Sequence, residues 1–226
     1  MDFTISENLK RIRYDIDEAK EKYRNSDDDV RLMAVTKTVP YERVNYAVSE
    51  GVTLLGENRV QEYLSKKDFY DKNAEVNFIG HLQSNKIKYI IDSVTMIHSV
   101  DSFRLAAEID KQAEKIHKCM DVLIEVNVGR EDSKSGVFPE MLEELVYEAT
   151  QLKNIKIRGL MTIPPIFDTE KSFEKMQRLF NDLQQKRIGN TQIDTLSMGM
   201  SSDYALAVKY GSNIVRIGSG IFGTRK

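Results

Sequence analysis

The sequence has little cysteine and no long apolar run, and these two absences narrow the class of protein. Cys119 is the single cysteine among 226 residues, so an internal disulfide is excluded. No apolar run approaches the ~20 residues that a helix needs to cross a bilayer. The N-terminal stretch MDFTISENLK lacks the basic start and apolar core of a secretory signal. We therefore expect a cytoplasmic protein, because disulfides are rare in that reducing compartment.

The sequence also lacks an excess of charge and a cluster of metal ligands. Its 33 basic and 35 acidic residues give a net charge of -2, which offers nucleic acid no strong attraction. His81, His98 and His117 do not cluster with Cys119, so no zinc-type ligand set is visible. Neither a Pro/Gly-rich linker nor a low-complexity tract divides the chain. We expect residues 1–226 to form one domain, with neither nucleic acid nor membrane as a partner.

Short apolar runs alternate along the chain with longer segments that have the period of a helix. This alternation predicts parallel βαβ units, because parallel neighbours need a crossover of about a dozen residues. An open doubly wound sheet and a closed barrel both satisfy it. The even spacing, the count of eight and a length near the usual ~250 residues favour the (β/α)8 TIM barrel. The predicted strands are 32–36, 53–57, 77–80, 96–100, 121–127, 155–162, 195–199 and 213–218, and the clearest intervening helices are 101–117, 138–151 and 170–187.

The two ends of the chain modify this barrel. Apolar residues spaced by threes and fours, including Ile5, Leu9 and Ile12, predict a helix over 3–24. Only SGIFGTRK follows the last predicted strand, which is too short for a full eighth crossover helix. We therefore expect an extra N-terminal helix to cover that sector of the barrel, and no C-terminal β-domain.

A lysine stands where the first predicted strand ends. In MAVTKTVP, residues 33–40, the apolar start reads as strand interior and Pro40 hinders its continuation. The active site of a TIM barrel lies at the C-terminal ends of the strands, so Lys37 falls on that rim. Three interpretations are open: a solvated lysine, a direct phosphate ligand, or a lysine that forms a Schiff base. The last requires a neutral amine, which partial desolvation and a nearby cation promote.

The last predicted strand leads into a glycine-rich stretch, NIVRIGSGIFG at 213–223, in which three glycines surround Ser219. Glycines let backbone amides converge on an anion, and the dipole of a following short helix would strengthen the site. A common phosphate site in barrels uses the loops after strands seven and eight, where this stretch and Ser201 both fall. A simple chain reversal is the alternative. Pyridoxal 5′-phosphate (PLP) would supply both an aldehyde for Lys37 and a phosphate for this stretch.

Seven motifs, in unbroken order from about residue 30 onward, resemble those of one family, the pyridoxal phosphate homeostasis proteins. Those proteins are similar to the N-terminal barrel of bacterial alanine racemases and of eukaryotic ornithine decarboxylases. The resemblance is carried by MAVTKTVP, LGENRVQE, FIGHLQSNK, SKSG, RGLMTIPP, LSMGMSSDY and VRIGSGIFGTR.

The resemblance implies a set of PLP-binding residues. It implies that Lys37 carries the cofactor as an internal aldimine and that Ser201, Gly218 and Ser219 hold the phosphate. Arg216 would face the pyridine nitrogen, where its charge disfavours protonation of the ring. An unprotonated ring is a poorer electron sink, so carbanion chemistry of the aminotransferase type is not favoured. A rim arginine paired with a carboxylate is the alternative interpretation of Arg216.

Other positions match the family less specifically. Asn58 and His81 match strand-end positions and are expected to line the pocket. The alternatives are a helix cap for Asn58 and a hydrogen-bonded, partly buried histidine for His81. Lys134 either approaches the cofactor from the loop after the fifth strand or is solvated. Met198 and Met200 are interpreted as packing of the barrel.

Two departures from the related proteins limit the comparison. Val39 stands where many bacterial members have a second lysine, so no role of that lysine in cofactor exchange is expected here. Racemases use a second domain whose tyrosine is the opposite-face acid/base, and we expect no such domain. The sequence therefore favours a monomeric PLP homeostasis protein that delivers or buffers PLP, with apo PLP-dependent enzymes as recipients, rather than an efficient catalyst. The alternatives are a low-activity PLP-dependent amino-acid racemase and a barrel that binds another phosphorylated metabolite.

Overall fold

Eight parallel strands form one closed barrel in which β1 to β8 follow one another in chain order. The computed structural model describes residues 3–189 and 191–223. It confirms the predicted barrel, and every strand boundary lies within two residues of the predicted one. The strands are β1 (Arg31–Val35), β2 (Leu54–Glu57), β3 (Glu75–Phe78), β4 (Met96–Val100), β5 (Met120–Glu125), β6 (Ile155–Met161), β7 (Thr195–Ser197) and β8 (Ile214–Ile217).

Helices occupy segments before, between and after the strands. Amphipathic spacing explains them: in the helix after β4, Leu105, Ala106 and Ile109 are buried on one face, and the Ser102 hydroxyl caps the first turn. Within the described residues the helices are α1 (Phe3–Tyr23), α2 (Tyr41–Ser49), α3 (Val60–Lys66), α4 (Phe103–Glu114), α5 (Leu142–Ala149), α6 (Thr169–Lys186), α7 (Tyr204–Lys209) and α8 (Ser219–Phe222). Short 3-10 helices span Lys67–Phe69, Ser84–Tyr89 and Pro139–Met141.

The chain divides into two compact units, of which the first comprises Met1–Asn77 and Ser197–Lys226. In this unit β1 is the central strand, because Met33 is in register with both Leu54 of β2 and Arg216 of β8. Strand β1 therefore brings the ends of β2 and β8 next to its own end.

Helix α1 packs against α7 and α8 within the same unit. Its apolar face, including Ile5 and Leu9, is fully buried, and the Asn8 amide donates to the Ile221 carbonyl oxygen at 3.0 Å. The Tyr204 hydroxyl of α7 donates to Asp15 of α1. These contacts confirm that the N-terminal helix covers the sector near the last strand.

The second unit comprises Phe78–Leu196 and has β5 between β4 and β6. The register of β5 with β6 shifts between Val122 and Leu123, next to Gly159 of β6. A Cβ atom on Gly159 would lie 1.8 Å from the Thr195 carbonyl oxygen, so only glycine fits this close backbone approach. The prediction that residues 1–226 act as a single domain stays a prediction.

Two features bear on membrane and metal binding. There, no helix is both long and apolar enough to cross a membrane. Over residues 3–189 and 191–223, no group of three or more histidine, cysteine, aspartate or glutamate side chains could hold a metal ion.

Candidate functional site

Lys37 lies in a tight turn directly after β1. The Val39 N–H donates to the Thr36 carbonyl oxygen at 3.0 Å, which closes a four-residue turn around Lys37 and Thr38. Thr38, the third residue of this turn, has a φ of +63°, which suits glycine or asparagine far better than a β-branched residue. The lysine is half-buried. The structure thus places it at the strand end, as predicted, on a backbone under strain.

A buried carboxyl group ends the neighbouring strand. Glu57 is fully buried at the end of β2, and its Oε1 accepts hydrogen bonds from the Thr36 hydroxyl at 2.7 Å and from the Tyr70 hydroxyl. Burial raises the pKa of Glu57 above its usual value, against the opposing effect of these two donors. Among the described residues, the second oxygen of Glu57 has no hydrogen-bond partner.

Asn58 follows Glu57 and also has a buried oxygen, Oδ1, that accepts no hydrogen bond from the described part of the chain. Helix α3 begins one residue later and its N-cap is Arg59, so the helix-cap interpretation of Asn58 is wrong. Buried polar atoms in native proteins are rarely left without a partner. The end of β2 is therefore a place where a bound molecule could complete the hydrogen bonding.

An ion pair on α3 contacts the turn that contains Lys37. One oxygen of Glu62 accepts hydrogen bonds from the Thr38 N–H and from Lys66 Nζ. Lys66 Nζ also donates to the Thr36 carbonyl oxygen at 3.0 Å. Burial alone would raise the pKa of Glu62, but the hydrogen bonds from Lys66 and Thr38 and the charge of Lys66 hold it below its usual value.

Arg216 lies within β8 and is only 4% exposed. Its Nη1 donates to the Ser197 hydroxyl at 2.7 Å. In the pairing of β8 with β1, Arg216 lies opposite Met33. A buried guanidinium is costly unless hydrogen-bonded, so a position inside the barrel wall indicates a specific role. Arg216 is thus a buried strand residue with a hydroxyl partner, and its alternative interpretation as an arginine paired with a carboxylate stays untested.

The turn after β8 brings together hydroxyl and amide groups. The Gly220 N–H donates to Ser201 Oγ at 3.0 Å, and the Ser219 hydroxyl lies 3.2 Å from that same oxygen. A Cβ on Gly220 would lie 2.8 Å from Ile217, and a Cβ on Gly218 would lie 3.4 Å from that of Val35. Small residues therefore allow this backbone to pass close to β1 and to Ser201.

Six of the predicted site residues lie in the first compact unit, at or near the ends of the adjacent strands β8, β1 and β2 or in the turn after β7. These are Lys37, Asn58, Ser201, Arg216, Gly218 and Ser219.

The other predicted positions are described within their own surroundings. His81 belongs to the second unit, where it is exposed and its Nδ1 lies 3.3 Å from the Ser135 hydroxyl. Lys134 of the same unit pairs with Glu131 and donates to the Pro164 carbonyl oxygen at 3.2 Å, so it is not simply solvated. Met198 is fully buried, as its interpretation as barrel packing requires.

Sequence reasoning missed Glu62, Lys66 and Tyr70. Glu62 and Lys66 form an i,i+4 pair, a pattern that usually indicates an exposed helix face. Their contacts with Thr36 and Thr38 depend on how α3 packs beside β1, which the spacing does not reveal. Only the Glu–Lys spacing itself could have drawn attention to them.

Comparisons with known proteins agree with one another. Residues 8–226 match the family described as alanine racemase, N-terminal domain. A pyridoxal phosphate homeostasis protein of Aquifex aeolicus is 44% identical over 225 residues, which covers 97% of this chain and 98% of that protein. The protein of the same name from Escherichia coli K12 is 34% identical over 226 residues, covering 98% of this chain and 97% of that one.

Solved structures give the same result. PipY of Synechococcus elongatus, solved without PLP, is 32% identical with a TM-score of 0.87, covering 97% of this chain and all of that one. PipY solved with PLP bound is 30% identical with a TM-score of 0.82 over the same coverage. An alanine racemase of Clostridium difficile shares the fold at 18% identity and a TM-score of 0.70, over 96% of this chain and 57% of that enzyme.

Proposed function

Because this chain belongs to the family of the pyridoxal phosphate homeostasis proteins, we propose that it binds PLP and takes part in PLP homeostasis. In this proposal Lys37 holds the cofactor through a reversible imine, and the protein buffers PLP or delivers it. One observation carries the proposal. Lys37 stands at the end of β1, beside β8, whose following turn places the Ser219 hydroxyl 3.2 Å from that of Ser201.

The turn after β8 fits the phosphate of PLP. Hydroxyl groups and backbone N–H groups are the donors that proteins use for phosphate, and their hydrogen bonds to an anion are stronger than neutral ones. Ser201 and Ser219 provide the hydroxyls, while Gly218 and Ser219 provide N–H groups in a turn without bulky side chains. We assign the phosphate to these three residues.

The strand ends fit the ring. We assign Arg216 to the pyridine nitrogen because its positive charge, buried inside the barrel wall, disfavours a second positive charge on that atom. Bound PLP supplies an electrophilic aldehyde and an aromatic electron sink, and an unprotonated ring is the weaker sink. The arrangement therefore favours holding the cofactor over catalysing carbanion chemistry with it. Asn58, whose buried Oδ1 could accept from the ring hydroxyl, and His81 are the further proposed contacts.

Borohydride reduction tests the proposal directly. The purified protein is loaded with PLP, reduced, digested and mapped by mass spectrometry. We expect a pyridoxyl group on Lys37, and none on that peptide in Lys37→Ala. In the matched control, Lys134→Ala, the pyridoxyl label on Lys37 should be as complete as in the unmodified protein. Absence of label on Lys37, or equal label on many lysines, would overturn the assignment.

A catalytic function would show as turnover. The loaded protein is incubated with L-alanine and other amino acids, and the enantiomers are separated on a chiral column. We expect no sustained racemisation. Sustained turnover that Lys37→Ala abolishes would contradict the carrier function and favour a low-activity racemase.

The finer parts of the proposal concern partners and location. We propose that apo PLP-dependent enzymes receive the cofactor, that residues 1–226 act as a single monomeric domain, and that the protein works in the cytoplasm. A transfer assay with an apo enzyme tests the first part, since activity should appear faster than the cofactor dissociates into buffer. Light scattering of the loaded protein tests the second, and fractionation of cells tests the third.

A further inference from the structure

We propose that Glu62 and Lys66 of α3 are positioning residues that fix the backbone on both sides of Lys37 and so aim its amine. This inference rests on the proposed function, because it assumes that Lys37 forms the covalent link to PLP. Glu62 and Lys66 are not proposed to touch the cofactor.

The two peptide groups that flank Lys37 both form hydrogen bonds with side chains of α3. The Thr36 carbonyl belongs to the preceding peptide group and accepts from Lys66 Nζ at 3.0 Å. The Thr38 N–H belongs to the following peptide group and donates to Glu62. Fixing both planes fixes φ and ψ of Lys37, since these two dihedrals are the only soft ones between them. The direction in which the Lys37 Cα–Cβ bond leaves the backbone is therefore set from α3.

The backbone of Thr38 is strained. A β-branched residue at a φ of +63° is strained by its own side chain, and such conformations persist only where the surroundings enforce them. Two contacts enforce it: the turn closed by the Val39 N–H and the Thr36 carbonyl, and the hydrogen bond from the Thr38 N–H to Glu62. Without the hydrogen bond to Glu62, Thr38 would relax towards negative φ, which turns the peptide group between Lys37 and Thr38.

Helix α6 has an ion pair of the same i,i+4 spacing, but that pair is far more exposed. The side chains of Glu62 and Lys66 are 18% and 12% exposed, whereas those of Glu174 and Arg178 on α6 are 44% and 73% exposed. Exposed i,i+4 pairs add little to a helix, and a desolvated pair must offset the loss of hydration. Burial therefore needs another explanation, and the hydrogen bonds to the Lys37 turn provide it.

The test measures how fast the imine forms. Glu62→Gln removes the charge but keeps the side-chain length, and Glu174→Gln is the matched control on the exposed pair. After mixing with PLP, we expect imine formation in Glu62→Gln to be about tenfold slower, because the amide oxygen still accepts from the Thr38 N–H and Lys66 but without the charge that strengthens both hydrogen bonds. Glu174→Gln should stay within about twofold of the unmodified protein. Affinity for pyridoxine 5′-phosphate, which has the phosphate but no aldehyde, should be unchanged in both.

A second substitution at Thr38 distinguishes loss of the positioning role from a general loss of structure in Glu62→Gln. Glycine tolerates positive φ, so Thr38→Gly in the Glu62→Gln background should bring the rate back to within about threefold of the unmodified protein. Thr38→Ala in the same background keeps a Cβ and should not rescue. If Glu62→Gln does not fold, Lys66→Met replaces it with the same expected tenfold loss.

The outcomes distinguish the inference from the function on which it rests. If the unmodified protein forms no imine on Lys37, the proposed function fails. If it forms the imine and Glu62→Gln does so as fast as Glu174→Gln, the function stands and the positioning role is wrong. Equal rescue by glycine and alanine would also contradict the positioning role, because strain relief would then not be the cause.

Discussion

Lys37 and Lys134 both lie in loops that follow strands, β1 and β5, but the two loops are held by different contacts. At Lys37 the neighbouring peptide groups are fixed, by hydrogen bonds to Glu62 and from Lys66. Its position is therefore controlled through the backbone.

At Lys134 the side-chain amine itself is fixed. It pairs with Glu131 and donates to the Pro164 carbonyl oxygen at 3.2 Å. An amine held in this way must first break both contacts before it can attack an aldehyde. The two lysines thus differ in the contacts that surround them, and a place in a loop after a strand does not by itself make a lysine a covalent site.

The largest expected effect is the loss of PLP affinity when Lys37, but not Lys134, is replaced. Lys37→Ala should raise the dissociation constant for PLP about 100-fold, roughly 2.7 kcal/mol, because only the phosphate and ring contacts remain. Lys134→Ala should change it less than about twofold. Titration followed by absorbance measures both. Equal losses in the two variants would remove the distinction between the loops.

The second effect concerns the buried carboxyl group near Lys37. Tyr70→Phe removes a hydroxyl that donates to buried Glu57, so the free energy of unfolding should fall by about 2 kcal/mol. The matched control is Tyr147→Phe in the second unit, where the side chain is 63% exposed and the change should stay within about 0.5 kcal/mol. Urea titration measures both, and a neutral Tyr70→Phe would show that Glu57 does not need this donor.

The third effect tests the phosphate end of the site. Ser201→Ala removes the hydroxyl that accepts the Gly220 N–H and is proposed to bind phosphate, so PLP affinity should fall about tenfold. Ser133→Ala, one residue before Lys134, should have no measurable effect. Competition by inorganic phosphate should weaken in Ser201→Ala alone. If both variants bind PLP equally well, the phosphate lies elsewhere.

The smallest effect is a pH dependence at Glu57. Burial raises its pKa above the usual 4.5, so the folded state holds the proton more tightly and stability is lost as pH rises through that raised value. Glu57→Gln does not titrate. Its free energy of unfolding, relative to that of the unmodified protein, should therefore increase as pH rises above about 4.5. Urea titrations over a range of pH check the sign, and a flat or falling difference would contradict it.

The sequence predicted the barrel and the strand-end residues because both follow from periodicity and chain order. Boundaries were less accurate where local chemistry decides them. Strand β7 was predicted over 195–199 but ends at Ser197, and Gly199, with a φ of +91°, lies outside extended geometry. The contacts of the Glu62–Lys66 ion pair with the Lys37 turn were missed because they depend on where the short helix α3 packs in the folded chain. No spacing rule gives that placement.

Helix α1 joins the two ends of the chain through the Asn8–Ile221 hydrogen bond, which spans 213 positions of sequence. A ribosome delivers the first partner of this contact long before the second. The nascent chain must therefore keep the apolar face of α1 uncovered until Ile221, 213 positions after Asn8, has emerged. The proposed PLP site combines Lys37 with Ser201, Gly218 and Ser219, so it can form only after the intervening residues 78–196 have been synthesised.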